Sequence, residues 1–391
     1  MVCPLGHTIL VTMNLACLIL GIFPYLTPGI INQTDSFALG LSTDSCVQHV
    51  TIYSATDNSD KYANGVVITV FKEKLYCMWQ SSPCDEDSPH THVVFSRSAD
   101  NGLNWSMPKV LTEASDTAFC TSGGWITHGD TLTAFINVWP LRMQPASGYT
   151  YYIQSTDGET WSTPHPVRMY DGTMMAGVLE QDPYTLPDGR IIGATHFQPG
   201  LHVCPVYTDD RTGCRGWRKA VFEVEDIGKQ SRCIEPSQYI QTDSTLVMMF
   251  RDQHSTFKKL ASLSINRGET WTTPTETNIP DARTKQCAGN LPDGTAYMVC
   301  CPSNGKWRWP LVLLLSHDGI TFDYAMLLRS GRPEDLPLRK YDGKYKTIGF
   351  NYPKAIVSNG NMYIGYSTNK ETVCCTIIPI DKLFKNYDNK N

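Results

Sequence analysis

The chain has 391 residues, 18% charged and 41% hydrophobic, with a formal net charge of −5. That mildly acidic balance offers no basic surface for a polyanion and excludes nucleic acid as an expected partner. The composition is that of an ordinary globular protein.

From Thr8 to Leu26 the sequence carries no charge, which reads as a secretory signal peptide or, if retained, an N-terminal membrane anchor. The expected layout is residues 1–26 as that leader, 27–45 as a linker, 46–384 as one repetitive domain and 385–391 as a polar tail. Such a chain is secreted or extracellular, and meets a membrane only if the leader stays. Acceptor sequons at Asn32 and Asn104 are compatible with that location. Of the fourteen cysteines, Cys3 and Cys17 lie in the leader, and the remaining even number fits an oxidising compartment. Cys77 with Cys84 and Cys204 with Cys214 are spaced to close local hairpins, whereas the adjacent pairs Cys300-Cys301 and Cys374-Cys375 need distant partners or stay free. No Cys-x-x-Cys or His-x-x-x-His pattern occurs, so neither a metal nor another cofactor is expected.

Short strand-like runs follow in groups. Residues 65–71, 74–79 and 92–98 lead to the turn S-A-D-N-G-L-N-W ending at Trp105. Residues 125–128, 131–138 and 149–155 lead to S-T-D-G-E-T-W ending at Trp161, and 182–187, 190–197 and 202–207 lead to a degenerate copy ending at Trp217. A fourth group, 235–241, 245–251 and 259–264, ends in S-I-N-R-G-E-T-W at Trp271; a fifth, 286–292, 296–301 and 310–316, ends in S-H-D-G-I-T-F at Phe322. In each turn an Asp or Asn can fold back onto following amides, a Gly supplies a positive φ, and an aromatic plug follows. The aromatic ends are 56, 56, 54 and 51 residues apart, the period of a repeat architecture. A sixth group, 352–357, 361–367 and 373–380, lacks the turn. Four-stranded antiparallel units of this length, repeated radially, predict an all-β, six-bladed β-propeller. The early strand 46–54 is unused by the first blade and is expected to complete the last.

The repeated turn resembles the Asp box of the sialidase (neuraminidase) superfamily, whose catalytic domain is a six-bladed propeller. That resemblance covers residues 47 to 381 and implies where a site would lie. Glu235, followed on the next strand by Arg251, resembles the family's pairing of a Glu with a carboxylate-binding Arg. Arg308 resembles the Arg that precedes an Asp-box strand. Two guanidiniums on one carboxylate would hold it bidentately and select an acidic sugar. Tyr352 falls where the family carries its nucleophile, with Glu235 as the proton acceptor. The loop Asp85, Glu86, Asp87 occupies the region of the family's acid, and Asp87 is taken for that role. The resemblance thus implies an exo-acting glycosidase with an acidic glycan as substrate. The third family Arg is missing, and Asn64 stands near its place. His196, His202 and Tyr207 are extra polar groups that suit β-elimination of a uronate instead. A polysaccharide lyase and a non-catalytic glycan-binding propeller therefore remain alternatives.

Overall fold

The chain winds into six sheets arranged as a β-propeller, seen in a computed structural model that describes residues 47–199, 202–223, 233–330 and 333–383. The leader, the linker, Asn32 and the polar tail lie outside the described residues. Among the described residues no helix is long and apolar enough to cross a membrane.

Blade I runs, from the inner strand outward, through Tyr62–Phe71, Lys74–Ser82, His92–Ser98 and Lys109–Thr112; blade II through Ala118–His128, Thr131–Pro140, Tyr149–Ser155 and His165–Pro166. Blade III uses Gly177–Leu179, Ile191–Phe197, His202–Thr208 and Arg218–Lys219, with Tyr184–Thr185 pairing the second strand lower down. Blade IV is Cys233–Ile240, Leu246–Asp252, Lys258–Ser264 and Thr275–Pro280, and blade V is Cys287–Asn290, Ala296–Cys300, Leu311–Ser316 and Tyr324–Arg329. Blade VI takes Phe350–Ser358, Asn361–Thr368 and Thr372–Pro379, and its outermost strand is Gln48–Ser54. The first strand thus closes the ring, with Gln48 opposite Ile377 and Ser54 opposite Thr372.

Six apolar clusters hold the ring, one in each seam between neighbouring blades. The turn aromatics are their plugs. Trp271 of blade IV is buried against Ile192 and Ala194 of blade III, a burial that contributes about 3 kcal/mol. Its turn is wired as the sequence implies: Gly268 N–H donates to Ser264 Oγ (2.9 Å), Thr270 N–H to Asn266 Oδ1 (3.0 Å) and Trp271 Nε1 to Gly268 O (3.0 Å). Gly158 in the second turn has φ +73, and a Cβ there would lie 2.0 Å from the Tyr76 hydroxyl of blade I. Each turn is therefore pressed onto the preceding blade.

The ten cysteines whose side chains are described carry no disulfide. Cys77 lies on a strand face turned into the blade I and VI core beside Cys375, while Cys84 is exposed on a loop, so the local pairing expected for them does not form. Cys204 and Cys214 are likewise free, their thiols directed at the Ala220 and Thr212 carbonyls.

Candidate functional site at the channel mouth

Four inner strands break register by one residue, in blades I, II, IV and VI. A bulge of this kind turns a side chain out of the pleat. In blade IV the residue after the break is Glu235, at φ +53; in blade VI it is Tyr352, at φ +54; in blade I it is Gly65, at φ +64. Non-glycine residues in this region cost of order 1–3 kcal/mol each. Two strained inner strands thus aim one acid and one phenol at the same cavity.

That cavity, of about 340 Å³, is lined by Glu86, Asp87, His196, Glu235, Arg251 and Tyr352, together with Glu180 and Lys285. Arg251 Nη1 donates to Glu235 Oε2 at 2.6 Å and lies 3.5 Å from the Tyr352 hydroxyl. Burial would raise the Glu235 carboxyl, but Arg251 and then Lys285 outweigh it and hold it well below the usual carboxylate range. The Tyr352 phenol is pushed well above its ordinary value by burial and by the Glu235 carboxylate, with Arg251 and Arg308 pulling the other way. At rest this pair is an ionised base beside a protonated phenol.

Asp87 stands across the mouth, at φ +57 on its loop and open to solvent on one side. Desolvation by the cavity wall, and then the neighbouring Glu86 carboxylate, raise its carboxyl to about 6, against the pull of Lys370. Glu86 is ion-paired with Lys370 and accepts the Tyr62 hydroxyl at 3.0 Å. Asp85 points away and anchors the loop, accepting N–H groups of Glu86 (2.8 Å) and Tyr345 (3.1 Å).

On the opposite wall His196 Nδ1 is 3.3 Å from Glu180 Oε1, and Lys285 Nζ is 3.5 Å from Glu180 Oε2. Asn137 fixes this wall by bonding both the N–H and the carbonyl of Leu179. Lys285 Nζ also sits 4.8 Å from the Tyr352 ring centroid, with the Arg308 guanidinium at 5.4 Å and Lys370 Nζ at 5.8 Å. Arg308 lies beside Tyr352, buried and bonded to Asn351 Oδ1 at 2.5 Å, and is not among the residues lining the cavity. The cations that line the cavity are Arg251 and Lys285.

Two expected contributors lie elsewhere. Asn64 is fully buried and turned to blade VI, where it accepts the Ser367 hydroxyl at 2.8 Å; the bulge of blade I presents Gly65 to the axis instead. Tyr207 belongs to the third strand of blade III, away from the axis, with the Arg190 guanidinium 4.7 Å over its ring. The side chain of His202 lies outside the described residues. Lys285, Glu180, Lys370 and Tyr62 carry no motif, and the signal for the first two is their phase at the channel end of inner strands in blades V and III. Among the described residues no group of His, Cys, Asp and Glu is arranged to hold a metal ion.

A propeller of six antiparallel blades with Asp-box turns at its seams is a sialidase-type propeller. The BNR repeat-like domain model matches residues 73–364, and the chain belongs to that family. No curated protein matches it in sequence. Among solved structures the chain is similar to the Hadza microbial sialidase Hz136, with TM-score 0.66 and 14% identity over 86% of this chain and 69% of that one. It is similar also to Trypanosoma rangeli sialidase in complex with sialic acid, with TM-score 0.63 and 13% identity over 88% of this chain and 60% of that one. A Dyadobacter fermentans protein of unknown function gives TM-score 0.63 and 16% identity over 85% and 99% of the two chains. At these identities the likeness is one of fold.

Proposed function

We propose that this protein is a retaining exo-glycosidase that removes an acidic sugar, of the sialic acid class, from a glycan. The observation that carries the reading is the Tyr352 hydroxyl lying 3.5 Å from Arg251, with Arg251 bonded to Glu235, in a cavity that Asp87 also lines. Tyr352 is a weak nucleophile while protonated, and the ionised Glu235 is placed to take its proton as the phenol oxygen bonds the anomeric carbon. Asp87, raised to about 6, gives its proton to the departing glycosidic oxygen and then accepts one from the water that cleaves the tyrosyl-sugar bond. Arg251 and Lys285 supply positive charge where the sugar carboxylate would sit, beside the Tyr352 ring. A secreted location belongs to the same proposal and rests on the uncharged leader.

The test is turnover of a fluorogenic α-sialoside by the purified protein, with Tyr352→Phe as control. Activity in the wild type and its loss in the variant support the reading; no turnover of any α-keto-acid glycoside removes it. His196 facing Glu180 in the same cavity favours a second reading, β-elimination of a uronate, which would release an unsaturated product absorbing in the near ultraviolet. Glycan binding unaffected by Glu235→Gln, with neither product formed, would identify a binding protein instead.

A further inference from the structure

Behind the wall formed by Glu235 and Arg251 lies an ion pair that reaches no solvent. Lys259 Nζ and Asp281 Oδ1 are 2.7 Å apart, with both side chains wholly buried. Taking two charges out of water is unfavourable by several kcal/mol per ion, so such a pair is weak evidence for stability and directs attention to geometry. Its hydrogen bonds run toward the site. Lys259 Nζ also donates to Thr284 O (3.1 Å) and to Gln286 Oε1 (2.8 Å), so all three ammonium protons have acceptors. A lysine can only donate, which fixes the oxygen end of the Gln286 amide toward it and turns Nε2 the other way.

Nε2 then meets the two strands that carry the site. It donates to the carbonyl of Met249 (2.8 Å) and to that of Glu235 (3.2 Å). Glu235 and Pro236 are the residues that the ladder skips between the pairs Ile234 with Arg251 and Ser237 with Met249. A skipped carbonyl has no strand partner, and buried backbone groups need one. Gln286 supplies it from blade V. Asp281 works on the neighbouring strand, where its Oδ2 accepts the N–H of Asp252, the residue after Arg251, at 2.9 Å. Gln181 Nε2 closes the network from blade III by donating to the Gln286 carbonyl at 3.0 Å. Lys285, between Thr284 and Gln286, is carried to the cavity wall by the same segment.

We infer that Lys259, Asp281 and Gln286 are positioning residues for the acid-phenol pair: a buried brace that holds the Glu235 bulge and sets Arg251 and Lys285 against it. None of the three lines the cavity. The inference rests on the reading of Glu235 as the base. The charged and titratable groups facing that carboxyl are Arg251, Lys285, Tyr352 and Lys370.

The experiment is Gln286→Met in the full chain, which keeps length and apolar packing and removes both donors. On an aryl α-sialoside, kcat is expected to fall by about 10- to 100-fold with KM changed by less than about threefold, since displacing a reacting group by an ångström has effects of that size. The acid limb of the pH profile should move up, because a bulge that relaxes loosens the Arg251 grip that keeps Glu235 ionised. Arg190→Met, which removes two ion pairs, to Asp209 on blade III and to Glu269 in the blade IV turn, and touches none of the residues that line the cavity, should lower Tm and leave both kcat and that limb unchanged. Should Gln286→Met not fold, Asp281→Asn keeps an acceptor for Asp252 N–H, drops the charge that orients Lys259, and should shift the profile in the same direction. A readout without substrate is the Glu235 carboxyl itself, followed by carbon NMR of labelled glutamate with Glu235→Gln for assignment. An unchanged titration in Gln286→Met overturns the brace whether or not the wild type turns over a sialoside. A wild type that is inactive while the titration moves instead overturns only the proposed reaction.

Discussion

The Asp-box turns and the inner-strand bulges solve the same backbone problem in opposite ways. Both place a residue at positive φ and both use side chains to satisfy nearby amides. In the turns a glycine takes that conformation, Gly102, Gly158, Gly213, Gly268 or Gly319, preceded in two of them by Asn101 or Arg267 at positive φ, and the bonds stay within the turn. At the site it is Glu235 or Tyr352, and the group that satisfies the Glu235 carbonyl arrives from another blade. The contrast teaches how such residues are held. The outer turns repeat and close on their own side chains; the Glu235 bulge does not repeat in that way and is held from a neighbouring blade, as expected where geometry is kept for chemistry.

The largest test of that contrast is chemical. Tyr352→Phe and Glu235→Gln should each lower kcat on a sialoside by about 10³-fold, with thermal midpoints near that of the wild type. Equal activity would mean the bulges hold these residues for nothing. Arg251→Leu comes next and acts on stability: it leaves a buried carboxylate without its guanidinium, a change of about 3–5 kcal/mol in urea unfolding at pH 7. In the wild type the depressed Glu235 carboxyl contributes stability above its unfolded value and loses it as pH falls through the folded one. In the variant only Lys285 and the Tyr352 hydroxyl are left to oppose burial, so the carboxyl rises from its wild-type value and the deficit should shrink on acidification toward pH 4.

On the outer belt, Gly158→Ala forces a Cβ onto the Tyr76 hydroxyl at φ +73 and should destabilise by about 2 kcal/mol while kcat of the folded enzyme stays constant. The smallest effect sharpens the acid. With the Asp87 carboxyl near 6, activity should decline as pH rises through that value, and Glu86→Gln, by removing the adjacent negative charge, should move this basic limb to lower pH. An unmoved limb would assign the acid to another residue.

The belt was legible because each turn carries its instructions locally: Ser or Thr, Asp or Asn, Gly and an aromatic within ten residues. Closure by the early strand followed from counting strands. Glu235, Arg251, Tyr352 and Asp87 follow from the family resemblance and His196 from its polar side chain on a strand beside them, and the structure brings these five to one cavity. Lys285 and Glu180 escaped because their meaning depends on ring curvature, which sets blades III and V against the same mouth. Tyr207 is close to His196 in sequence but lies on the third strand of its blade, away from the axis. Cys77 and Cys84 looked paired by spacing, yet strand alternation sends the first into the core.

The strand Gln48–Ser54 makes the order of assembly a question of time. Its partner, Thr372–Pro379, lies more than 300 residues downstream. At roughly 5–20 residues per second the early strand waits on the order of tens of seconds for that partner to be synthesised. During that interval the early strand has no partner on either edge, and contacts so distant along the chain are slow to form. Sealing of blade VI therefore sets the period in which nascent chains are most prone to pair with one another.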